Sequence, residues 1–314
     1  MHFITTRRGG CVLIKVKRFL IGLMRALILI GVGYTILSPI IGMIVSSIAS
    51  TEDIYNPMMF LLPKNPTMEK YALVIERMDY CKTILKDLIY VVTLTAIQVL
   101  VCSMVGYGFA RFQFPFKKLL FGCVVLMITI PMHTIMLPIY MTFKSFDPFG
   151  IVTAVKGSPG IMGTVAPMYL MTILGCGVRS GLYIYIFNQF FRGLPKEIEE
   201  AALVDGAGTW YTYFRIMLAN AKPAVITVAV FSLVWQFNDT FYSKLFLISE
   251  DVVISKKVSS LASVLANQDK ILNVTIQQQY TNAGILLVIL PVLLLYLLLQ
   301  RRFIEGVERS GIVG

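Results

Sequence analysis

Glu200-Ala201-Ala202-Leu203-Val204-Asp205-Gly206 is a short helical stretch with charged ends, set between long apolar segments. Its flanks, Gly193-Leu194-Pro195-Lys196-Glu197-Ile198-Glu199 and Ala207-Gly208-Thr209, mark a helix that starts and stops abruptly. Pro195 suits a first turn, where a missing N–H costs nothing, and Glu197, Glu199 and Glu200 complement the positive helix start. Asp205-Gly206 is a stop signal, because Gly206 can take the left-handed conformation that closes a helix. Thr209 is then placed to cap a second helix, on which Trp210, Phe214 and Met217 recur at helical spacing. The product is helix, tight bend, helix. The paired alanines let another backbone approach closely, so the insert asks for a partner.

The rest of the chain is apolar. Of 314 residues, 57% are hydrophobic and 14% charged, where soluble chains carry about a quarter charged. A membrane-crossing helix needs about 20 mainly apolar residues, and six segments qualify: 20–48, 88–110, 119–143, 166–191, 224–248 and 280–300. The expected fold is an all-α polytopic membrane protein: six transmembrane helices with a cytoplasmic helix-turn-helix insert at 193–222. Residues 1–19 and 304–314 then flank a transmembrane domain at 20–303. The stretch Phe19–Ile48 far exceeds the apolar core of a signal peptide and is read as a retained first span. Pro131, Pro138 and Pro291 fall inside spans, which membrane helices tolerate. Of the two longer outer loops, 49–87 reads as partly ordered, and Val258–Ile271 in 249–279 as a short helix.

Charge placement gives the orientation. With the N-terminus inside, the inner segments hold Arg7, Arg8, Lys15, Lys17, Arg18, Arg25, Arg111, Lys117, Lys118, Arg192, Lys196, Arg215, Lys222, Arg301, Arg302 and Arg309. The outer ones are nearly balanced, so almost all of the +11 net charge lies inside and both termini are expected in the cytoplasm. Anionic headgroups thus account for the basic balance without nucleic acid. The five cysteines are scattered with no CxxC, and only His2 and His133 are present, so a metal centre is not expected.

Glu200-Ala201-Ala202, three residues, Gly206, nine residues and then Ile216-Met217-Leu218 resembles the EAA loop of ABC importer permeases. Ala219 stands where that family has proline. Gly108-Phe109-Ala110-Arg111-Phe112, Gln189-Phe190-Phe191, Trp235-Gln236-Phe237-Asn238-Asp239 and Arg302-Phe303-Ile304-Glu305-Gly306 extend the resemblance along nearly the whole chain, to the smaller permease of maltose- and oligosaccharide-type importers. The resemblance implies the type I permease fold and a coupling helix seated in a cleft of an ATP-hydrolysing subunit, with Glu200, Ala201, Ala202, Asp205 and Gly206 at the contact. It also implies a second related permease, two ATP-binding subunits and an extracytoplasmic solute-binding protein, in the cytoplasmic membrane of a prokaryote. No cofactor is expected on this chain. It has no Gly-Lys-Ser/Thr phosphate loop, so ATP and Mg belong to the partner ATPase.

Polar groups inside spans mark pathways or packing contacts. In the fifth span Trp235, Gln236, Asn238, Asp239 and Tyr242 offer the carboxylate, amides and aromatic planes that bind sugars. Gln236, Asp239, Thr240 and Ser243 share one face of a continuous helix. The alternative is a hydrogen-bond network that fastens this subunit to its partner. Arg179 in the fourth span either faces the passage, favouring an acidic sugar or another polar solute, or lies at the outer interface where the helix begins late. Tyr185 and Gln189 share a face of the same span. A secondary transporter is the rival reading, but such proteins carry repeats and none is evident.

Overall fold

A computed structural model describes residues 6–51, 53, 63–249 and 251–311, with the backbone alone described at 6–16, 295–296 and 298–311. Helices dominate and, among these residues, no β-strand forms. In chain order they are α1 (Thr6–Ile48), α2 (Glu69–Arg77), α3 (Tyr80–Arg111), α4 (Lys117–Thr129), α5 (Met136–Lys144), α6 (Ile151–Lys156), α7 (Ala166–Ile173) and α8 (Ser180–Gly193). There follow α9 (Glu197–Val204), α10 (Thr209–Tyr211), α11 (Leu218–Asn220), α12 (Lys222–Phe237), α13 (Phe241–Leu245), α14 (Ile254–Gln268) and α15 (Val274–Gly311). The span expected from 88 begins at Tyr80, and the short helix expected over Val258–Ile271 runs over Ile254–Gln268. Pro57 and the side chains of Arg7, Arg8, Lys15 and residues 301–309 lie outside what is described.

Two compact units emerge. The first takes residues up to Val74 with Leu265–Leu286. In it the end of α1 is pinned by hydrogen bonds: Thr67 N–H to Ile48 O (2.7 Å), Ser47 to the Tyr71 hydroxyl (2.8 Å) and the buried Lys70 ammonium to Ala49 O. The second takes Ile75–Val264 with the residues from Leu287 onward, and it holds the candidate site. Its core joins α3, α8 and α12 through Cys102, Tyr107, Tyr183, Ile184, Phe187, Phe191 and Val228. On α8, Tyr183, Ile184, Phe187, Asn188 and Phe191 recur at helical spacing and are buried. Gly106 lets α8 come close: a Cβ there would lie 2.6 Å from Phe187 Cβ. Gly181 does the same for α4, with Val124 O at 2.9 Å.

Three expected spans are interrupted. Pro131 has no N–H and forces Ile130 extended (φ −69°, ψ 122°), so the chain turns by 105° between Lys117–Thr129 and Met132–Lys156. Gly175, at φ 73°, closes α7 with Gly175 N–H to Thr172 O and Cys176 N–H to Met171 O. The fifth span stops at Phe237 and restarts at Phe241. Among the described residues, Lys17–Ile48 and Tyr80–Arg111 are each single helices long and apolar enough to cross a membrane.

Candidate functional site

The insert folds as two helical pieces about a glycine turn. Gly206 is left-handed (φ 80°), with its N–H bonded to Leu203 O and that of Ala207 to Ala202 O, both at 3.0 Å. That paired closure is the glycine stop anticipated from Asp205-Gly206. The start of the second piece differs from expectation. Gly208 is the residue at the cap, extended at φ −71°, and Thr209 is already helical with no side-chain cap. A π-turn then runs over Thr212–Met217. Its extra residue per turn re-aims the faces: Thr212, Tyr213 and Met217 are buried, while Trp210 and Phe214 are exposed and stack on each other at 6.1 Å. The chain bends by 79° into α12, where Pro223 occupies the first turn.

The α9 surface divides cleanly. Ala202 is buried; Glu200, Ala201, Asp205 and Gly206 are exposed. So are Leu203 and, at 87% exposure, Val204. An apolar pair at the tip of a charged helix is unfavourable in water and suits a covered surface. Behind the tip, Arg111 at the end of α3 pairs with Glu199 (Nε–Oε2 3.2 Å) and donates to Leu194 O (2.9 Å). The Tyr107 hydroxyl donates to the other Glu199 oxygen. The Arg111 and Glu199 side chains are only 6% and 17% exposed, so this clamp is shielded from solvent. It makes α9 an extension of α3.

The fifth-span candidates separate. Gln236 is buried in a network inside the chain: its amide donates to Gln98 Oε1 (2.8 Å) and Ser232 Oγ (2.9 Å). Gln98 in turn donates to Val178 O (2.6 Å) and Ser180 Oγ (3.0 Å), joining α3, α8 and α12. Asp239 sits in the break after α12. Its carboxylate accepts the N–H groups of Tyr242 (3.1 Å) and Ser243 (3.0 Å) and the Ser243 hydroxyl (2.9 Å). The break is why Gln236, Asp239 and Ser243 do not form one continuous stripe. Asn238 is exposed, donating to Val234 O.

Arg179 precedes α8 in a left-handed conformation (φ 59°), its guanidinium 4.3 Å from the centre of the half-exposed Trp235 ring. No ion pair joins it to Asp239 among the described residues. Arg179, Tyr242 and His133 line one mainly apolar cavity of about 690 Å³ between α4, α5 and α8. His133 also meets Phe241 edge-on at 4.8 Å. Tyr185 and Gln189 bond to each other (2.8 Å) on α8, and Tyr185 stacks on Phe121. The structure thus gathers Arg179, Trp235 and Tyr242, and keeps Tyr185 and Gln189 as a separate pair.

Residues 102–308 match the family described as the binding-protein-dependent transport system inner membrane component. The chain belongs to that family. Similar proteins include the diacetylchitobiose uptake system permease protein NgcG of Streptomyces coelicolor, 27% identical over 88% of this chain and 83% of its own length. The arabinooligosaccharides transport system permease protein AraQ of Halalkalibacterium halodurans is 24% identical over 88% and 91%. A crystal structure of a bacterial ABC transporter that imports the acidic polysaccharide alginate superposes with TM-score 0.74, at 17% identity over 91% of this chain and 98% of that one. This inner membrane component therefore has the all-α type I permease fold and is a transporter subunit. The exposure of Leu203 and Val204 and the pairing of Arg111, Glu199 and Tyr107 are what sequence reading passed over. Arg111 carried a signal within Gly108-Phe109-Ala110-Arg111-Phe112, and Glu199 only as a charge at the helix start.

Proposed function

We propose that this chain is a permease subunit that carries a sugar or oligosaccharide across the cytoplasmic membrane of a prokaryote, with both termini and the insert inside. It works with a second related permease, two ATP-binding subunits and an extracytoplasmic solute-binding protein. The observation that carries the reading is the outward-facing α9 tip held on a buried clamp at the end of α3. Glu200, Ala201, Asp205 and Gly206, with Leu203 and Val204, form the surface that the ATPase grips. Ala202 faces inward and sets how closely α9 lies on its support. ATP and Mg act on the partner, and closure of the ATPases moves α9 and, through Arg111, the foot of α3. Sugar released from the binding protein then meets Trp235 as an aromatic plane and Asn238 as a hydrogen-bonding group, while Gln236, Asp239 and Tyr242, which is buried and stacked on Phe246, keep the α12–α13 region in shape.

Arg179 favours a second reading, an acidic sugar. Its guanidinium lies over Trp235 and meets no carboxylate among the described residues. Competition of neutral against uronic-acid oligosaccharides in uptake, with Arg179→Gln alongside, separates the two: loss of acidic-substrate uptake alone selects the second.

Affinity purification of the membrane complex tests the main reading. The native chain should bring down an ATPase, and Gly206→Asp should lose or uncouple it. A Cβ at Gly206 meets no atom within 4 Å, so the substitution costs only the left-handed conformation, about 1–2 kcal/mol. Failure to recover any ATPase with the native chain overturns the proposal.

A further inference from the structure

A cavity of about 780 Å³ opens beside the α3–α4 turn and the end of α8, and its lining is divided by chemistry. Arg111, Lys117, Lys118, Arg192 and Lys196 supply five cations, and no carboxylate lines it. Aromatic rings form the other wall: Phe109 lies 5.6 Å from Phe114 and 5.5 Å from Phe121. Arg111 is committed to Glu199, and Lys117 donates to Phe112 O (2.7 Å). Lys118, Arg192 and Lys196 are exposed and meet no carboxylate among the described residues. Cations converging on one cavity repel each other until a counter-charge arrives.

Asn188 adds an independent sign. It lies one helical turn before Arg192, lines the same cavity and is only 2% exposed. Its amide donates to Gly106 O (3.3 Å), but its Oδ1 has no hydrogen-bond partner. A buried acceptor left unmet is costly and calls for a donor. The ligand must therefore present an anion to the lysines and arginines and a hydrogen-bond donor to Asn188, and among five cations a neutral hydroxyl suits that role better than an ammonium. It must also tolerate phenyl walls. Leu119 and Leu120, both exposed, follow Lys118 directly on α4 and continue the apolar surface away from the cavity.

We propose that this cavity holds the headgroup of an anionic phospholipid bearing a polyol, of the phosphatidylglycerol type. Its phosphate sits among Lys118, Arg192 and Lys196, a headgroup hydroxyl donates to Asn188, and an acyl chain follows the exposed face of α4. Because Arg111 belongs both to the cavity wall and to the Glu199 clamp, the lipid borders the joint between α3 and α9. A free phosphate ester shares the anionic chemistry but makes no use of the aromatic wall or of Leu119 and Leu120.

Native mass spectrometry of the full-length chain in detergent tests this, with phosphatidylglycerol, phosphatidylcholine and glycerol 1-phosphate as probes. The native chain should retain phosphatidylglycerol preferentially, and Lys118→Gln/Arg192→Gln should weaken that retention roughly thirtyfold. Lys196→Gln alone should weaken it about fivefold. The control Lys82→Gln/Lys86→Gln, on exposed lysines near the opposite end of α3, should leave retention unchanged. Thermal midpoints without added lipid identify any variant that has lost its fold. In the native chain, phosphatidylglycerol should raise the midpoint while glycerol 1-phosphate does not. Equal retention of phosphatidylcholine, equal weakening in the control, or a matching shift from glycerol 1-phosphate would each overturn the proposal.

Discussion

The insert around α9 and the break between α12 and α13 are both interruptions where polar residues collect, yet they use those residues in opposite ways. At α9 most of the residues singled out in the sequence face outward: Glu200, Ala201, Asp205 and Gly206 are exposed, and the support beneath them comes from Arg111 and Tyr107 on another helix. At the α12 break the polarity is largely consumed within the chain. Gln236 binds Gln98 and Ser232, and Asp239 satisfies the N–H groups of Tyr242 and Ser243. Of the residues singled out in the fifth span, Trp235 and Asn238 are the exposed ones. A polar residue in an apolar chain states a need; its neighbours decide whether the need is met inside or left for a partner.

That contrast can be broken most forcefully at the clamp. Arg111→Ala leaves the shielded Glu199 carboxylate with the Tyr107 hydroxyl but no counter-charge, a loss of about 3 kcal/mol. Hydrogen exchange across 194–204 should then accelerate sharply and uptake should collapse, with Arg111→Lys recovering part of both. Unchanged exchange in the alanine variant would mean that α9 does not hang on α3.

Gln98→Leu attacks the inward-facing region instead. It strands Ser232, Ser180 and the Gln236 amide, for about 1–3 kcal/mol seen as a lower thermal midpoint. Gln98→Leu/Gln236→Leu should recover part of that loss, because removing both partners leaves fewer orphaned groups. A double variant worse than the sum of the singles would show that the network is not the reason for the burial.

At the outward-facing tip the expected stability change is smaller still. Leu203→Ser/Val204→Ser should move the midpoint by less than about 0.5 kcal/mol equivalent, while the yield of co-purified ATPase falls. Asn238→Ala is the smallest: stability within about 0.5 kcal/mol and, if Asn238 touches sugar, a raised KM for uptake at unchanged complex assembly. A large stability loss at either place would erase the distinction between the two regions.

Helix content and the α9 stop were legible because they rest on local rules. Apolar runs, Pro195 and Asp205-Gly206 act within a turn or two of themselves, and the Gly206 closure follows directly. Interruptions inside spans were harder to read. Gly175-Cys176-Gly177 and Pro131 look tolerable in a membrane helix, and only the surrounding packing decides between a kink and a break. The π-turn at Thr212–Met217 escaped a reading built on regular helical spacing, which puts Trp210, Phe214 and Met217 on one face. The clamp was out of reach for another reason: Glu199 and Arg111 are far apart in sequence, and nothing local pairs them. Arg179 shows the middle case, an anomaly visible in the sequence whose companion, Trp235, only the fold reveals.

The missing Cβ at Gly106 has a mechanical consequence. With Phe187 and the Asn188 backbone against it, and the Asn188 amide bonded to its carbonyl, α3 and α8 form a single spar with no room to slide. Any side chain there would pry the two apart before it allowed rotation. The degrees of freedom that a moving transporter spends must therefore come from elsewhere in this unit, from the joints at 174–179 and 238–240 and from the bend at Ala221, where the backbone has already left the helix.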